Sequence, residues 1–291
     1  MTSTLSTTDP TPGRIEEIRE LLSLSVEQLC ERAGDRLVVV PNLAALHQHF
    51  AQAMFDEIKQ NNERGQPTRL ILAVGPRGQY PRLRDMINEQ ELSLEHCHFF
   101  FMDEYCDWAG KAIGTDHPLS LRGYIEREFI GKIRRDLNTP AEQVLFPNHD
   151  NISRLADRIN AVGGIDTCYG GIGIHGHIAF NEPAPGIRDT DPRPIRINDF
   201  TVTINAIRSE VGGNVEGYPR LAVTLGMRQI LDSRRICLYC RNGGLYDWAN
   251  TVLRLALLGE PGDDYPVTHI RNRNYLIVTD RETAQSPKYI L

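Results

Sequence analysis

The sequence has no clustered run of lysine and arginine. Across 291 residues, 32 basic side chains are outnumbered by 38 acidic ones, for a formal net charge of −6. That balance argues against a protein that grips a phosphate backbone, because nucleic-acid-binding domains carry a basic excess. Long apolar runs are missing too. Stretches such as Leu37-Val38-Val39-Val40 are far too short to span a bilayer, so no membrane partner is expected. The first residues, MTSTLSTTDPTPG, have neither a basic start nor an apolar centre; a disordered lead is expected there, not a secretory signal. The six cysteines (Cys30, Cys97, Cys106, Cys168, Cys237, Cys240) are scattered. Cys97, Cys168, Cys237 and Cys240 fall in or beside apolar runs, where a free thiol behaves as a small buried apolar group. Cys237-x-x-Cys240 matches a redox or zinc string, but one pair alone cannot build a structural zinc site, and buried strand thiols fit better. Free thiols favour a reducing, cytoplasmic setting.

What is present is an alternation of apolar runs and amphipathic segments. Residues 14–32 place Ile15, Ile18, Leu21, Leu22, Val26 and Leu29 at helical spacing, with a break near Ser23 to Ser25. Runs at 36–41, 69–74, 98–102, 167–169, 235–239 and 275–279 predict buried strands. Helical patterns follow through Leu43 to Ile58, Leu83 to Ile87, Pro118 to Ile130, Asn151 to Val162 and Gly243 to Leu258. Residues 199–204 alternate like a half-exposed strand, and 219–230 read as strand then helix with Leu225-Gly226-Met227 at the join. Strands alternating with helices predict a doubly wound, mostly parallel α/β sheet with helices on both faces. No Pro/Ser-rich linker divides the chain. The expected organisation is an N-terminal extension over 1–34, partly disordered and then helical, ahead of one α/β domain over 35–291.

The chain is organised around residues 166–183, DTCYGGIGIHGHIAFNEP. A short strand passes into four glycines (Gly170, Gly171, Gly173, Gly176), which allow sharp turns and close ligand approach. His175 and His177 follow, and histidine changes charge near neutral pH. Glu182, five residues past His177, is close enough to fold back and orient it. Such a turn at a strand end suits proton transfer. Three alternatives fit the string less well. Gly171-x-Gly173-x-x-Gly176 matches a dinucleotide fingerprint, but that fingerprint needs a helix right after the glycines, and Pro183 and Pro185 oppose one. His175 and His177 as metal ligands lack an obvious third. Two solvated loop histidines is the bland alternative.

Two further strand ends carry chemistry. After the run at 69–74 comes Gly75-Pro76-Arg77-Gly78-Gln79-Tyr80-Pro81, a turn whose backbone N–H groups suit an anion and whose Arg77 can grip a phosphate or carboxylate. The alternative is a plain connecting turn. After the run at 98–102 come Asp103 and Glu104, one expected to face the crevice and the other to turn away. A carboxylate among apolar neighbours has a raised pKa and can act as a base; the alternative is a helix cap.

Met102-Asp103-Glu104-Tyr105, His117-Pro118, and the run from Gly170 to Pro183 containing GHIAFNEP resemble the glucosamine-6-phosphate deaminase (isomerase) family, from about Arg36 to the end. The 6-phosphogluconolactonases share the fold and the GHxA portion but typically lack FNEP and MDEY. The resemblance implies opening of an amino sugar ring, a proton shift from C2 to C1, and release of ammonia. By that likeness Asp103 moves the proton, His177 assists ring opening, Glu182 orients His177, and no metal or organic cofactor is implied. The substrate-binding set that goes with it is Arg77, Gly78, Tyr80, Glu104, Gly171, Gly173, Gly176 and Arg208. The partner is a small sugar or sugar phosphate, and a homo-oligomer is left open.

The chain departs from the family at two places. The family has an acid two residues before the catalytic histidine, and this chain has His175, which is carried with the catalytic group. A second imidazole lowers the pKa of His177 if it is charged. The family's phosphate turn reads roughly PTGGTP or PSGGTP, against Pro76-Arg77-Gly78-Gln79-Tyr80-Pro81 here, and a family lysine aligns with Gly243 or Gly244. Two outcomes stand: Arg77, Tyr80 and Arg208 hold the phosphate in a different way, or the substrate has changed, as in a paralogue. The loss of several charged contacts favours the second. A lactonase and a non-catalytic sugar-binding regulator remain as alternative functions.

Overall fold

The computed structural model describes residues 11–291. Residues 1–10, most of the lead expected to be disordered, lie outside the described residues. In chain order the elements are α1 (Arg14–Ser23), α2 (Val26–Ala33), β1 (Leu37–Val40), α3 (Leu43–Glu63), β2 (Thr68–Leu72), α4 (Gln79–Glu89) and β3 (Cys97–Phe101). These are followed by β4 (Asp103–Cys106), α5 (Leu121–Glu128), β5 (Val144–Leu145), α6 (Leu155–Ala161), β6 (Thr167–Gly171) and β7 (Arg193–Arg196). The chain ends with α7 (Asp199–Arg208), β8 (Leu221–Thr224), α8 (Met227–Leu231), β9 (Arg235–Cys240), α9 (Ala249–Leu258), β10 (Tyr275–Asp280) and α10 (Arg281–Ala284).

Seven strands form one sheet in the order β1-β10-β9-β6-β2-β3-β5, and every pairing in it is parallel. The strands are apolar because both faces are covered, as a parallel sheet with crossover helices requires. Side-chain alternation divides the core in two. Leu70, Leu72, Phe99, Phe101 and Tyr169 pack with α3, α4 and α5. Ile71, Phe100, Cys168, Ile236 and Ile277 pack on the other face with α6, α8 and α9. Strand order reverses between β2 and β6. The chain moves outward through β3 and β5 on one side, returns to β6, and moves outward through β9 and β10 on the other. Ligands of open α/β sheets bind in the crevice beyond the strand ends at such a switch point.

A second, three-stranded antiparallel sheet, β4-β8-β7, brings Asp103 and Tyr105 of β4 to that crevice. Local patterning gives no sign of it, because β4 continues the run of β3 after a single residue and β7 carries Pro194. Three other expectations are corrected. Residues 199–204 are helical, not extended: Asn198 caps α7, its side chain accepting from Thr201 N at 2.8 Å. The helix expected from Pro118 starts at Leu121, with Ser120 accepting from Gly123 N at 2.9 Å. The helix expected from Gly243 starts at Ala249. Cys237 and Cys240 both lie on β9, buried against opposite faces of the sheet, so neither redox nor zinc chemistry is open to the pair. No helix of the described residues is long and apolar enough to cross a membrane.

Candidate active site

A cleft of about 340 Å³ opens at the switch point. Its floor is the turn after β2, Ala73 to Arg77, and the end of β6, Gly171 to Ile174. These turns touch because Gly171 has no side chain: a Cβ there would lie 3.1 Å from the Gly75 carbonyl oxygen.

Asp103 opens β4 and lines the cleft. Burial, with the neighbouring Glu104 charge second, pushes its carboxyl up to about 7. The carboxylate is therefore a base of near-neutral strength. Glu104 points the other way, as strand alternation dictates. It accepts from Leu121 N (3.0 Å), Arg122 N (2.8 Å), Ser120 Oγ (3.1 Å) and its neighbour Tyr105 N (2.9 Å). The anion thus closes the N-terminus of α5, where donors and the helix dipole favour it. Glu104 is a cap and not the substrate contact expected of it.

His177 lines the cleft on a turn in which Gly173 N donates to the His177 carbonyl at 2.9 Å and Gly176 N donates to the Gly173 carbonyl at 3.0 Å. The imidazole lies over Gly173, where a Cβ would come within 1.9 Å of its Nε2. His175 and Gly176 take positive φ, 57° and 68°, to close the turn. Burial first and the His175 ring second lower His177 to about 4, so the imidazole is neutral at pH 7 and able to accept a proton. His175 does not line the cleft; its ring meets Phe200 edge-on at 5.1 Å. No helix follows Gly176, so the dinucleotide fingerprint is not realised. Among the described residues no three His, Cys, Asp or Glu side chains are placed to hold a metal.

The expected His177–Glu182 contact is absent. Glu182 Oε2 accepts from Asn198 N at 2.8 Å, tying the FNEP loop to the start of α7, while His177 Nδ1 is buried with no hydrogen-bond partner among the described residues. Asn181 staples the same loop, donating to Ile178 O (3.0 Å) and Leu225 O (2.9 Å) and accepting from Arg193 Nη1 (2.9 Å).

Three guanidinium groups converge on the cleft. Arg77 stacks on Tyr124 at 4.6 Å. Arg208, at the end of α7, stacks on Trp248 at 4.8 Å and pairs with Asp247. Arg241, directly after β9, was not foreseen, although a cation one residue past a strand end was the signal for it. A hydroxyl chain also went unseen: Asn205 Nδ2 donates to Tyr105 Oη at 3.1 Å, which lies 3.0 Å from Tyr218 Oη, which lies 3.0 Å from Ser209 Oγ. Tyr80, expected at the ligand, is wholly buried and donates to the Ala73 carbonyl within the core. Gly78 packs under the ring of His47, where a Cβ would lie 2.2 Å from Nδ1, and does not line the cleft; nor does Gly176. Gly171 and Gly173 do.

The architecture is a doubly wound α/β fold with a carboxylate and a neutral imidazole on the wall of one cationic cleft. No family model matches the chain. Glucosamine-6-phosphate deaminase of Caenorhabditis elegans is 30% identical over 207 residues, covering 69% of this chain and 74% of that protein. The deaminase of Clostridium perfringens (strain SM101) is 28% identical over 255 residues, covering 86% and 98%. Among solved structures, a monomeric glucosamine-6-phosphate deaminase of the NagB superfamily superposes with a TM-score of 0.73 at 25% identity, covering 86% of this chain and 98% of that one. The 6-phosphogluconolactonase of Thermotoga maritima shares the fold at a TM-score of 0.60 and 15% identity, covering 84% and 99%. The chain belongs to the glucosamine-6-phosphate deaminase family.

Proposed function

We propose that the chain converts an amino sugar phosphate of the glucosamine 6-phosphate class to the ketose phosphate, consuming water and releasing ammonia. The observation that carries this is the placement of Asp103 and His177 on the wall of one cleft. In the proposed sequence neutral His177 takes the proton of the C1 hydroxyl and passes it to the ring oxygen as the C1–O5 bond breaks. The Asp103 carboxylate takes the proton from C2 and delivers it to C1 while an ammonium proton passes to the C1 oxygen, and water hydrolyses the resulting C2 imine to the ketone and ammonia. Burial suits Asp103 to the middle step, since a base works best with a pKa near the working pH.

Arg77, Arg208 and Arg241 are the proposed phosphate grip. Guanidinium forks match phosphate oxygens in pairs, and stacking on Tyr124 and Trp248 holds Arg77 and Arg208 in place before the ligand arrives. This supports a rebuilt phosphate site over a changed, uncharged substrate, and it assigns the role without Tyr80. The test is ammonia release from glucosamine 6-phosphate, run beside hydrolysis of 6-phosphogluconolactone. The deaminase reading expects the first and not the second. Lactone hydrolysis without ammonia release contradicts it. Arg241→Ala is expected to raise KM for the phosphorylated sugar roughly 10- to 100-fold, since a charged hydrogen bond is worth about 1.5–3 kcal/mol. An equal rise for unphosphorylated glucosamine rejects the phosphate role.

A further inference from the structure

The N-terminal helix reaches the back of the catalytic turn through a buried ion pair. Arg14 is the first residue of α1 and only 2% exposed. Its Nε donates to Asp264 Oδ2 at 2.9 Å and its Nη2 to Asp264 Oδ1 at 3.1 Å. Thr11 adds two donors to the same carboxylate, N at 3.1 Å and Oγ1 at 2.7 Å. Arg14 Nη2 also donates to the Glu260 carbonyl at 2.8 Å, and Glu260 N donates to Glu17 Oε1 at 2.6 Å. Residues 11–17 thereby hold the loop 260–265 from the side away from the cleft.

The other side of that loop bears on the stretch carrying His177. Tyr265, with Arg14 Cζ 5.7 Å from its ring centre, lies against Gly176, where a Cβ would come within 3.4 Å of Tyr265 Cδ1 and 2.8 Å of Val267 Cγ1. The His175 ring is 6.5 Å from that of Tyr265. Asp263 accepts from Gly186 N at 2.7 Å and is itself held by His269 at 2.8 Å. The loop therefore grips the 175–186 stretch at both ends, and none of Arg14, Asp264 or Tyr265 lines the cleft.

We propose that α1 and the loop 260–265 form a clasp that fixes the His177 turn, with Arg14 and Asp264 as positioning residues. The structural part stands alone, and the catalytic consequence rests on the proposed role of His177. A buried charge pair suits such a clasp, because it tolerates few geometries. The test is amide hydrogen exchange on the full chain, wild type against Arg14→Met and Arg14→Lys, with turnover of glucosamine 6-phosphate measured on the same samples. In Arg14→Met, peptides over 172–186 are expected to exchange roughly ten-fold faster while β2, β6 and β9 keep their protection. The kcat is expected to fall roughly ten-fold with KM within about two-fold, since a misplaced catalytic group costs rate more than binding. Arg14→Lys should recover part of both. Unchanged protection over 172–186, or a rise spread evenly across the sheet, overturns the clasp, and an unchanged kcat beside a loosened turn overturns its catalytic consequence. If Arg14→Met does not fold, Thr11→Val, which removes one hydroxyl bond to Asp264, decides by the same selective exchange. If the wild type itself releases no ammonia, the functional reading fails while the exchange result still decides the clasp.

Discussion

Burial disfavours the charged forms of both Asp103 and His177, and the two shifts have opposite signs. Asp103 is raised from 3.8 to about 7, so the folded state holds its proton more tightly than the unfolded chain does. Its contribution to stability is present below about pH 4 and is lost as pH rises through about 7. His177 is lowered from 6.5 to about 4, so its contribution is present above about pH 6.5 and is lost as pH falls through about 4. Asp103→Asn is therefore expected to be more stable than the wild type at pH 8 and to show no gain at pH 3.5, measured as urea midpoints at the two pH values. A wild-type midpoint that exceeds the variant's at pH 8 contradicts the burial of an unpaired carboxylate. Activity has the opposite dependence. In the proposed mechanism Asp103 acts as the base, so kcat/KM is expected to rise with pH along a limb centred near 7. Asp103 was legible in the sequence because a carboxylate straight after HFFFM has apolar neighbours. Glu104 was misassigned because its destination, the N-terminus of α5, is 17 residues away in the chain and leaves no local trace.

At the scale of elements, α7 is the one that patterning misread. Residues 199–204 alternate with period two and include β-branched side chains, yet Asn198 caps a helix that buries Thr201, Val202 and Ala206 and leaves Phe200 and Ile207 exposed. The cap outweighs a weak strand propensity over six residues. The consequence reaches the cleft, because α7 carries Asn205 and Arg208 to its wall. Asn198→Ala is expected to cost about 1 kcal/mol by urea denaturation, the usual loss for a helix cap. It should also raise KM for the phosphorylated sugar, because Arg208 sits at the far end of the same helix. Lost stability with an unaltered KM would separate the cap from the site. The long apolar strands, by contrast, were legible from composition alone, since a strand buried on both faces has no polar side to confuse the pattern.

At the scale of the whole molecule, the parallel sheet was legible and the second sheet was not. Strand and helix alternation dictates the first. The second depends on β8 pairing with both β4 and β7, and the β4–β8 contacts join residues more than a hundred positions apart that no local pattern encodes. The attachment of the N-terminal helices was equally hidden. It runs through Arg254 on α9, which is 1% exposed and lowered by burial to about 10. Its guanidinium donates to the carbonyls of Leu21 (3.0 Å), Leu24 (3.3 Å), Ala284 (2.9 Å) and Asn250 (3.2 Å). Arg254→Met keeps most of the volume but removes four hydrogen bonds from a charged donor, at about 1.5–3 kcal/mol for each. A loss of at least about 3 kcal/mol is expected by urea denaturation. A neutral effect would mean that water replaces the guanidinium.

The central claim, that the Asp103 carboxylate handles the carbon-bound proton in a cleft shared with His177, is tested most directly by proton NMR of glucosamine 6-phosphate in heavy water with wild type and Asp103→Asn. The expected result is that the C2 proton signal is lost with the wild type, while Asp103→Asn, folded and still binding the sugar phosphate, slows that loss on the order of 10²- to 10⁴-fold. Loss of the C2 proton at the wild-type rate in Asp103→Asn would contradict the claim.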